Sequence, residues 1–436
     1  MGVVSCGTTM LDQGVFENIG AVTWDTTVKT SGFTAVSGNG YFCNTTSAAF
    51  TVTLPASPSA GDIVGIKDYA NTADTNNITI GRNGSNIQGE AINFVINTEG
   101  RSVILVYVDG TKGWLVTSAS QASNISSPQF ITATGGTIAI VCTDYKIHTF
   151  TGPGTFCVSN AGNACGSNTV DYMVIAGGGA GGSDGGSTSG GGGGAGGYRE
   201  SSGAASGCYS TSPLGSCVSA LPVTVTGYPI AVGGGAPASP KTGTCLNSPG
   251  TDSSFSTIIS AGGGGGGNNT PAIPVPTRLA GAGGSGGGAP YYGPAVGGAG
   301  NTPPVSPPQG NNGGNGQTGP GGAYGSGGGG GASAVGANGT TSAGGDGGNG
   351  VANSITGSSV TRAGGGGGAG WISGPPTSAG AGGSGGGGDG GVDGGGAGNA
   401  GTVNTGGGGG GAAGNPSGFL GGNGGSGIVV IRYKFQ

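Results

Sequence analysis

The sequence is poor in charge and in long hydrophobic runs. Only 7% of its 436 residues are charged, against about a quarter in ordinary globular proteins. The 12 basic and 17 acidic residues leave a net charge of −5, with no cluster of Lys and Arg, so we predict no nucleic-acid partner. No run of 18 apolar residues is present, which predicts no membrane insertion. The N-terminus MGVVSCGTTM lacks a basic and apolar leader, so no secretory signal is predicted.

Residues that support metal binding or catalysis are equally sparse. The chain has one histidine, and its eight cysteines form no CxxC pair, so we predict no metal site. No Gly-Lys dipeptide exists, which excludes a P-loop, and the GxGxxG matches follow from glycine abundance alone. Few carboxylates follow Ser201, which disfavours the paired acids of glycan cleavage. The sequence therefore predicts a protein that is not an enzyme and binds no cofactor.

The single histidine, His148, lies in YKIHTF (145–150), a pattern typical of a strand. A catalytic triad with Asp144 is conceivable, but we expect a solvent-facing strand histidine.

The cysteines leave two alternatives open. Cys157 with Cys165, and Cys208 with Cys217, are spaced to close short loops as disulfides, whereas free buried thiols are an equal alternative because nothing in the sequence fixes the redox compartment. The full set is Cys6, Cys43, Cys142, Cys157, Cys165, Cys208, Cys217 and Cys245.

Short alternating runs predict β structure over the first part of the chain. Residues 1–35 are interpreted as an N-terminal arm. From residue 36 to 119, apolar runs recur every 10 to 15 residues between Gly, Asn and Asp, which favours a β-sandwich or barrel-like module. A polar linker is predicted at 120–129, and a second small β segment at 130–176.

Glycine then dominates: the chain contains 115 glycines, concentrated between residues 177 and 427. The opening run DYMVIA (171–176) and the closing run IVVIRY (428–433) are both strand-like, so we expect them to meet in one sheet. The region 177–436 is thus predicted to be a bounded domain, and a disordered glycine tail is the alternative. The overall fold class predicted is all-β.

Backbone hydrogen bonding is the interaction by which glycine offsets the entropy cost of folding. An extended helix of polyproline-II type has three residues per turn and no internal hydrogen bonds, so its N–H and C=O groups point outward. Without side chains, such helices approach closely enough to bond one another. We therefore expect the glycine region to be a packed bundle of polyglycine-II helices.

Several motifs occur in an order that resembles the glycine-rich domain of bacteriophage tail fibre and adhesin proteins. They are DYMVIAGGG (171–179), GAGGYR (194–199), YPIAVGGG (228–235), GTDSSF (250–255) and GSGIVVIRY (425–433). The resemblance covers about residues 130–436. The N-terminal GYF (40–42), TVTLPASP (51–58) and GWL (113–115) are similar to a β module of marine and cyanobacterial phage structural proteins.

The resemblance implies a virion protein, exposed on the particle surface as a tail fibre, spike or adhesin. It implies polyglycine-II helices with receptor-contacting loops between them. By analogy with phage fibres we expect a homotrimer, attached to other virion proteins through its N-terminal region. The expected receptor is a host-surface glycan or an outer-membrane protein.

The candidate receptor-binding residues are aromatics on the Pro- and Gly-containing loops between glycine blocks, where rigid rings add contact area at little entropy cost. The alternative is that Trp371 and Phe419 simply pack against neighbouring helices or a partner subunit. The candidates are Tyr291, Tyr292, Tyr324, Trp371 and Phe419.

Two rival functions remain open. One is a head fibre or capsid decoration protein without a receptor role. The other is an extracellular structural filament protein.

Overall fold

A computed structural model describes residues 22–120, 129–163, 166–184, 188–207, 209–238, 248–268, 279–291, 295–318, 323–372, 378–392, 396–414 and 418–436, with four short strands before residue 17. The chain divides into two compact units, Met1–Ser127 and Pro128–Gln436. Among these residues the elements are strands, apart from the 3-10 turn Pro213–Gly215. The all-β class was predicted, and the described residues form a mostly β structure with several sheets and no α-helix. None of the described elements is a helix suited to crossing a membrane.

The described residues of the N-terminal unit form thirteen strands. They are β1 (Val4–Ser5), β2 (Thr8–Thr9), β3 (Leu11–Asp12), β4 (Val15–Phe16), β5 (Thr23–Lys29), β6 (Phe33–Thr34), β7 (Asn39–Cys43), β8 (Phe50–Thr53), β9 (Ile63–Asp68), β10 (Ile78–Gly81), β11 (Phe94–Ile96), β12 (Ser102–Asp109) and β13 (Gly113–Ser120).

Two sheets form the body of this unit, in the orders β11-β10-β8-β6 and β13-β12-β9-β7-β5. Alternate residues of both sheets share one core, in which Leu54, Ile80, Leu105 and Trp114 are fully buried. Strands β5 and β6 belong to the segment interpreted as an arm, and they pair with β7 and β8.

In the part of the C-terminal unit that the structure describes there are eighteen strands. They are β14 (Ile131–Thr134), β15 (Thr137–Val141), β16 (Tyr145–Phe150), β17 (Gly154–Ala161), β18 (Thr169–Ile175), β19 (Thr188–Ser189), β20 (Tyr198–Glu200), β21 (Leu221–Pro222), β22 (Gly227–Ala231), β23 (Ser253–Phe255), β24 (Ile258–Ser260), β25 (Gln317–Thr318), β26 (Ala323–Gly325), β27 (Val351–Asn353), β28 (Val360–Arg362), β29 (Gly370–Ile372), β30 (Ala413–Gly414) and β31 (Ile428–Lys434).

Two sheets of this unit face each other, in the orders β14-β17-β22-β23-β24 and β15-β16-β31-β18-β20. Strands β18 and β31 pair antiparallel, with Tyr172 opposite Ile431 and Val174 opposite Val429. This pairing confirms the prediction that the runs bracketing the glycine region meet in one sheet. The segment 130–176 therefore belongs to the same compact unit as the glycine region.

Strand β31 is buried on both faces of its sheet. Val429 and Ile431 point into the core shared with the facing sheet. Val430 points the other way, into a core that includes Ala195, Ala332 and other residues from within the glycine region. A β-branched strand buried on both sides thus anchors the glycine region to the sheet.

Glycine segments continue directly from these strands, and their hydrogen bonds follow a period of three. In segment 190–197, the N–H groups of every third residue from Gly190 onward donate to carbonyl groups of 406–412. The N–H groups of every third residue from Gly191 onward donate to carbonyl groups of 261–267, and those of every third residue from Gly192 onward donate to carbonyl groups of 327–330. The N···O distances lie between 2.7 and 3.0 Å. One glycine segment therefore donates to three different neighbours.

Carbonyl groups of the same segment 190–197 accept from three further neighbours, also at every third position. The donors lie in 176–182, 285–288 and 366–369, at distances between 2.7 and 3.1 Å. None of the glycines in segment 190–197 has a positive φ. Six neighbours surround one extended segment, and backbone groups bond it to all of them. We call this hydrogen-bonded set of segments between residues 176 and 427 the glycine bundle.

Candidate functional site

Three of the five predicted receptor-binding residues lie together at one end of the glycine bundle. Strands β26 and β29 pair there, with Tyr324 directly opposite Trp371. The rings of Tyr324 and Trp371 are stacked, with centroids 5.2 Å apart and planes 8° apart. Tyr291 stacks on Tyr324 with a centroid distance of 4.2 Å. The sequence predicted each residue singly, and the structure brings them into one stack.

Burial limits what this aromatic stack can do. Tyr291 and Trp371 are each only 8% exposed, and Tyr324 has a ring on both faces. The indole Nε1 of Trp371 is buried without a hydrogen-bond partner among the described residues. A ligand therefore has no open face of Tyr324 on which to stack. The arrangement is suited to fixing three chain segments relative to one another, since stacked rings contribute about 0.5–1.5 kcal/mol beyond their buried area.

The remaining two candidates are Phe419 and Tyr292. Phe419 is half-buried, and its ring covers Gly414: a Cβ added there would lie 2.2 Å from the ring atom Cδ2. Tyr292 lies outside the described residues.

Backbone contacts show that Phe419 belongs to the same end of the bundle. Asp184 N donates to Phe419 O at 3.0 Å, and strand β30, which carries Gly414, contacts strand β29. A bridge joins Gly370 to Val392 beside Trp371. We call this region the distal end, because it lies at the ends of the glycine segments remote from β18, β20 and β31.

The distal end also exposes apolar side chains that the sequence did not single out. Val392 is 42% exposed and Leu420 is 43% exposed. Neither residue belongs to a periodic run of apolar residues, so the sequence pattern does not identify them. Their exposure at the distal end is known only from the positions of the neighbouring segments in the structure. They give this end an accessible apolar contact surface.

The expectation of a solvent-facing His148 is wrong. The imidazole is fully buried, because strand β16 lies between β15 and β31 and this residue points toward the core ring of Phe156, 5.0 Å away. Its Nδ1 lies 2.7 Å from Gly135 O, and its Nε2 lies 3.1 Å from the Tyr433 hydroxyl. Both ring nitrogens are thus occupied, which leaves neither for Asp144.

Two of the buried carboxylates, those of Asp171 in β18 and Glu200 in β20, are hydrogen-bonded. Asp171 accepts from Ser201 Oγ at 2.7 Å and from Ser206 N and Oγ at 2.7 and 2.6 Å. Glu200 accepts from Tyr198 and Ser212, and burial raises the pKa of its carboxyl. Satisfied buried groups of this kind indicate a structural role.

The described cysteines and acidic groups form no metal centre. Cys43, Cys142, Cys157 and Cys217 are free thiols, and the candidate partners Cys165 and Cys208 lie outside the described residues, as do Cys6 and Cys245. Among the described residues, no group of three or more His, Cys, Asp or Glu side chains is placed to hold a metal ion.

The architecture defines a class of protein in which a β-sheet base carries a bundle of glycine segments. The glycine-rich domain family model matches residues 150–434, more than half of the chain. The chain therefore belongs to this glycine-rich domain family. No curated protein matches the chain.

Proposed function

We propose that the protein is a phage virion structural protein of the tail fibre or adhesin type, whose distal end contacts the host surface. The observation that carries this proposal is the gathering of aromatic and exposed apolar residues at the distal end, beyond a rigid bundle that presents them. Recognition residues are commonly held on loops that a rigid scaffold positions. The order of motifs in the sequence that resemble phage adhesins supports the same assignment.

The glycine segments of this proposal are polyglycine-II helices. A helix of this type has three residues per turn, and segment 190–197 donates to each neighbour at every third residue. Six neighbours are what hexagonal packing of such helices requires. The bundle is therefore stiff because backbone groups, rather than side chains, hold its members together.

Within this proposal, the aromatic stack of Tyr291, Tyr324 and Trp371 positions the distal end. Leu420 and Val392 make apolar contact with the receptor, a host-surface glycan or outer-membrane protein. The stack keeps the segments that carry them at fixed separation. This arrangement lowers the conformational entropy that binding would otherwise cost.

The test is adsorption of the purified protein to cells of the host on which the phage grows. We expect Val392→Ser combined with Leu420→Ser to reduce adsorption at least tenfold. Val225→Ser is the matched control, because Val225 is 65% exposed but lies next to β22, away from the distal end. Trp371→Ala should also reduce adsorption, and Trp371→Phe should restore part of it by returning a stacking ring.

Two outcomes would contradict the proposal. One is a folded double variant that adsorbs as the unmodified protein does. The other is labelling of virions by an antibody to the C-terminal unit at the capsid alone, which would favour the head fibre or decoration role.

A further inference from the structure

Polar side chains recur along the rim of the glycine bundle with a spacing of three residues. The segments NGGN (312–315), DGGN (346–349) and NGGS (423–426) each place two polar residues around a pair of glycines. In all three segments the first polar residue is exposed, the first glycine is intermediate and the second glycine is buried. The polar residues therefore lie on the outer side of segments whose inner side faces the bundle.

In each of these segments both polar side chains accept hydrogen bonds from backbone N–H groups of other segments, and in the first two segments a single neighbour supplies both donors. Asn312 Oδ1 accepts from Gly300 N at 2.8 Å, and Asn315 Oδ1 accepts from Gly297 N at 3.0 Å. The donors are again three residues apart, so two side chains form a ladder along one edge.

The second ladder has the same construction. Asp346 Oδ1 accepts from Ala381 N at 2.8 Å, and Asn349 Oδ1 accepts from Ser384 N at 3.1 Å. In the third segment, Asn423 Oδ1 accepts from Ala238 N at 2.6 Å and Ser426 Oγ accepts from the backbone of residue 404 at 2.9 Å.

Segment 378–384 shows what these side chains replace. The N–H groups of Gly380 and Gly383 donate inward, to Gly368 O and Gly365 O. Those of Ala381 and Ser384 point to the rim and meet side-chain oxygens instead of backbone carbonyls. The N–H of residue 382 meets Oδ1 of Asp389 at 2.7 Å. The side-chain oxygen thus occupies the place of the carbonyl that a further glycine segment would supply.

An edge with free N–H groups is a template for pairing with another chain, and proteins block such edges. We propose that the ladders at 312–315 and 346–349, together with the two capping side chains of 423–426, close the rim of the glycine bundle against a second copy of this chain. The blocked partner is a glycine segment of that copy, whose carbonyls would otherwise bond the outward N–H groups. Self-association of the protein then uses surfaces other than these edges.

The test uses sedimentation velocity to compare a matched control with two double variants that lack the side-chain oxygens of one ladder. We call these two variants cap-deficient. The variants are Asn312→Ala with Asn315→Ala, and Asp346→Ala with Asn349→Ala. The control is Asn399→Ala with Thr402→Ala, since these residues have the same spacing and exposure but cap no N–H group among the described residues. Asp346→Asn keeps an acceptor oxygen and should behave as the unmodified protein.

We expect the cap-deficient variants to show at least a twofold higher mass fraction of larger species than the control at equal concentration. Folded variants that sediment as the control does would overturn the proposal.

A second measurement on the unmodified protein keeps the proposal testable if the variants do not fold. Hydrogen exchange at the amides of Gly297, Gly300, Ala381 and Ser384 should be at least tenfold slower than at Val335, which is 61% exposed. Equal exchange rates would show that the caps are not formed in solution, which would overturn the proposal.

Discussion

A single methyl group distinguishes alanine from glycine, and most glycines of the bundle have no room for it. A Cβ added at Gly192 would lie 2.0 Å from Gly366 O. At Gly234, on the surface of the same bundle, the nearest atom to an added Cβ is Thr251 Oγ1 at 3.9 Å. The two positions thus separate the cost of crowding from the general effect of replacing glycine.

We predict that Gly192→Ala destabilises the C-terminal unit by about 3 kcal/mol or prevents its folding, because neighbouring backbones must separate. Gly234→Ala should leave stability unchanged or raise it slightly, since alanine restricts the unfolded chain. Thermal unfolding of the two variants checks this. Equal melting temperatures would contradict the close-packed bundle.

His148 makes stability depend on pH in a predictable direction. Gly135 O can only accept, so Nδ1 carries the hydrogen and Nε2 accepts from the Tyr433 hydroxyl. Burial lowers the pKa of His148 below its usual 6.5. The unfolded chain therefore binds the proton first, and stability is lost as the pH falls through about 6.5.

The expected loss is about 1.4 kcal/mol for each unit by which the folded pKa lies below the unfolded value. Denaturant unfolding between pH 7.5 and pH 5 should show this loss in the unmodified protein and not in the variant His148→Gln. Glu200 acts with the opposite sign, because burial raises its pKa, but it is present in both proteins and cancels. Parallel pH profiles would refute the assignment.

At the scale of elements, β31 and β15 differ although both are rich in β-branched residues. Val429 and Val430 point to opposite faces of β31, and both are fully buried. In β15, at the edge of the same sheet, Ile138 is 46% exposed and Ile140 is 59% exposed. Position in the sheet, rather than composition, decides burial.

Substitution by aspartate should reveal this difference. We expect Val429→Asp and Val430→Asp each to cost several kcal/mol, on the order of 3 or more, because an unpaired charge enters a core on either face. Ile140→Asp should change the free energy of unfolding by about 0.5 kcal/mol or less. Tolerance of either β31 substitution would show that one face of that strand is accessible to water.

The strands that the sequence predicted are those with clear alternation or β-branched runs, such as β16, β18 and β31. Strands β19, β25, β29 and β30 were not predicted, because they have only two or three residues each and no period can be read from so few. These short strands assemble the distal end. The aromatic stack was accordingly predicted as separate loop residues.

At the scale of the whole molecule, each unit has its own core. Within the described residues, the cluster around Trp114 consists of residues before 120, and the clusters around Val429 and Val430 consist of residues after 130. Such cores are a property of domains that fold independently.

We therefore predict that fragments 1–127 and 128–436 fold separately. Differential scanning calorimetry of each fragment should reproduce one transition of the full chain within about 2 °C, a shift that corresponds to a stability difference on the order of 1 kcal/mol. The full chain serves as the control. Loss of a transition in either fragment would show that the units depend on each other.

The sequence by itself determined the β class, the bounded glycine region and the pairing of its two bracketing runs. Those conclusions rest on composition and on the local period of apolar residues, which follow directly from the geometry of the backbone. Tertiary structure alone decided the burial of His148, the joining of Tyr291, Tyr324 and Trp371, and the capping of the rim by asparagine and aspartate. Each of these depends on which segments become neighbours, and glycine segments of nearly identical sequence do not specify their neighbours locally.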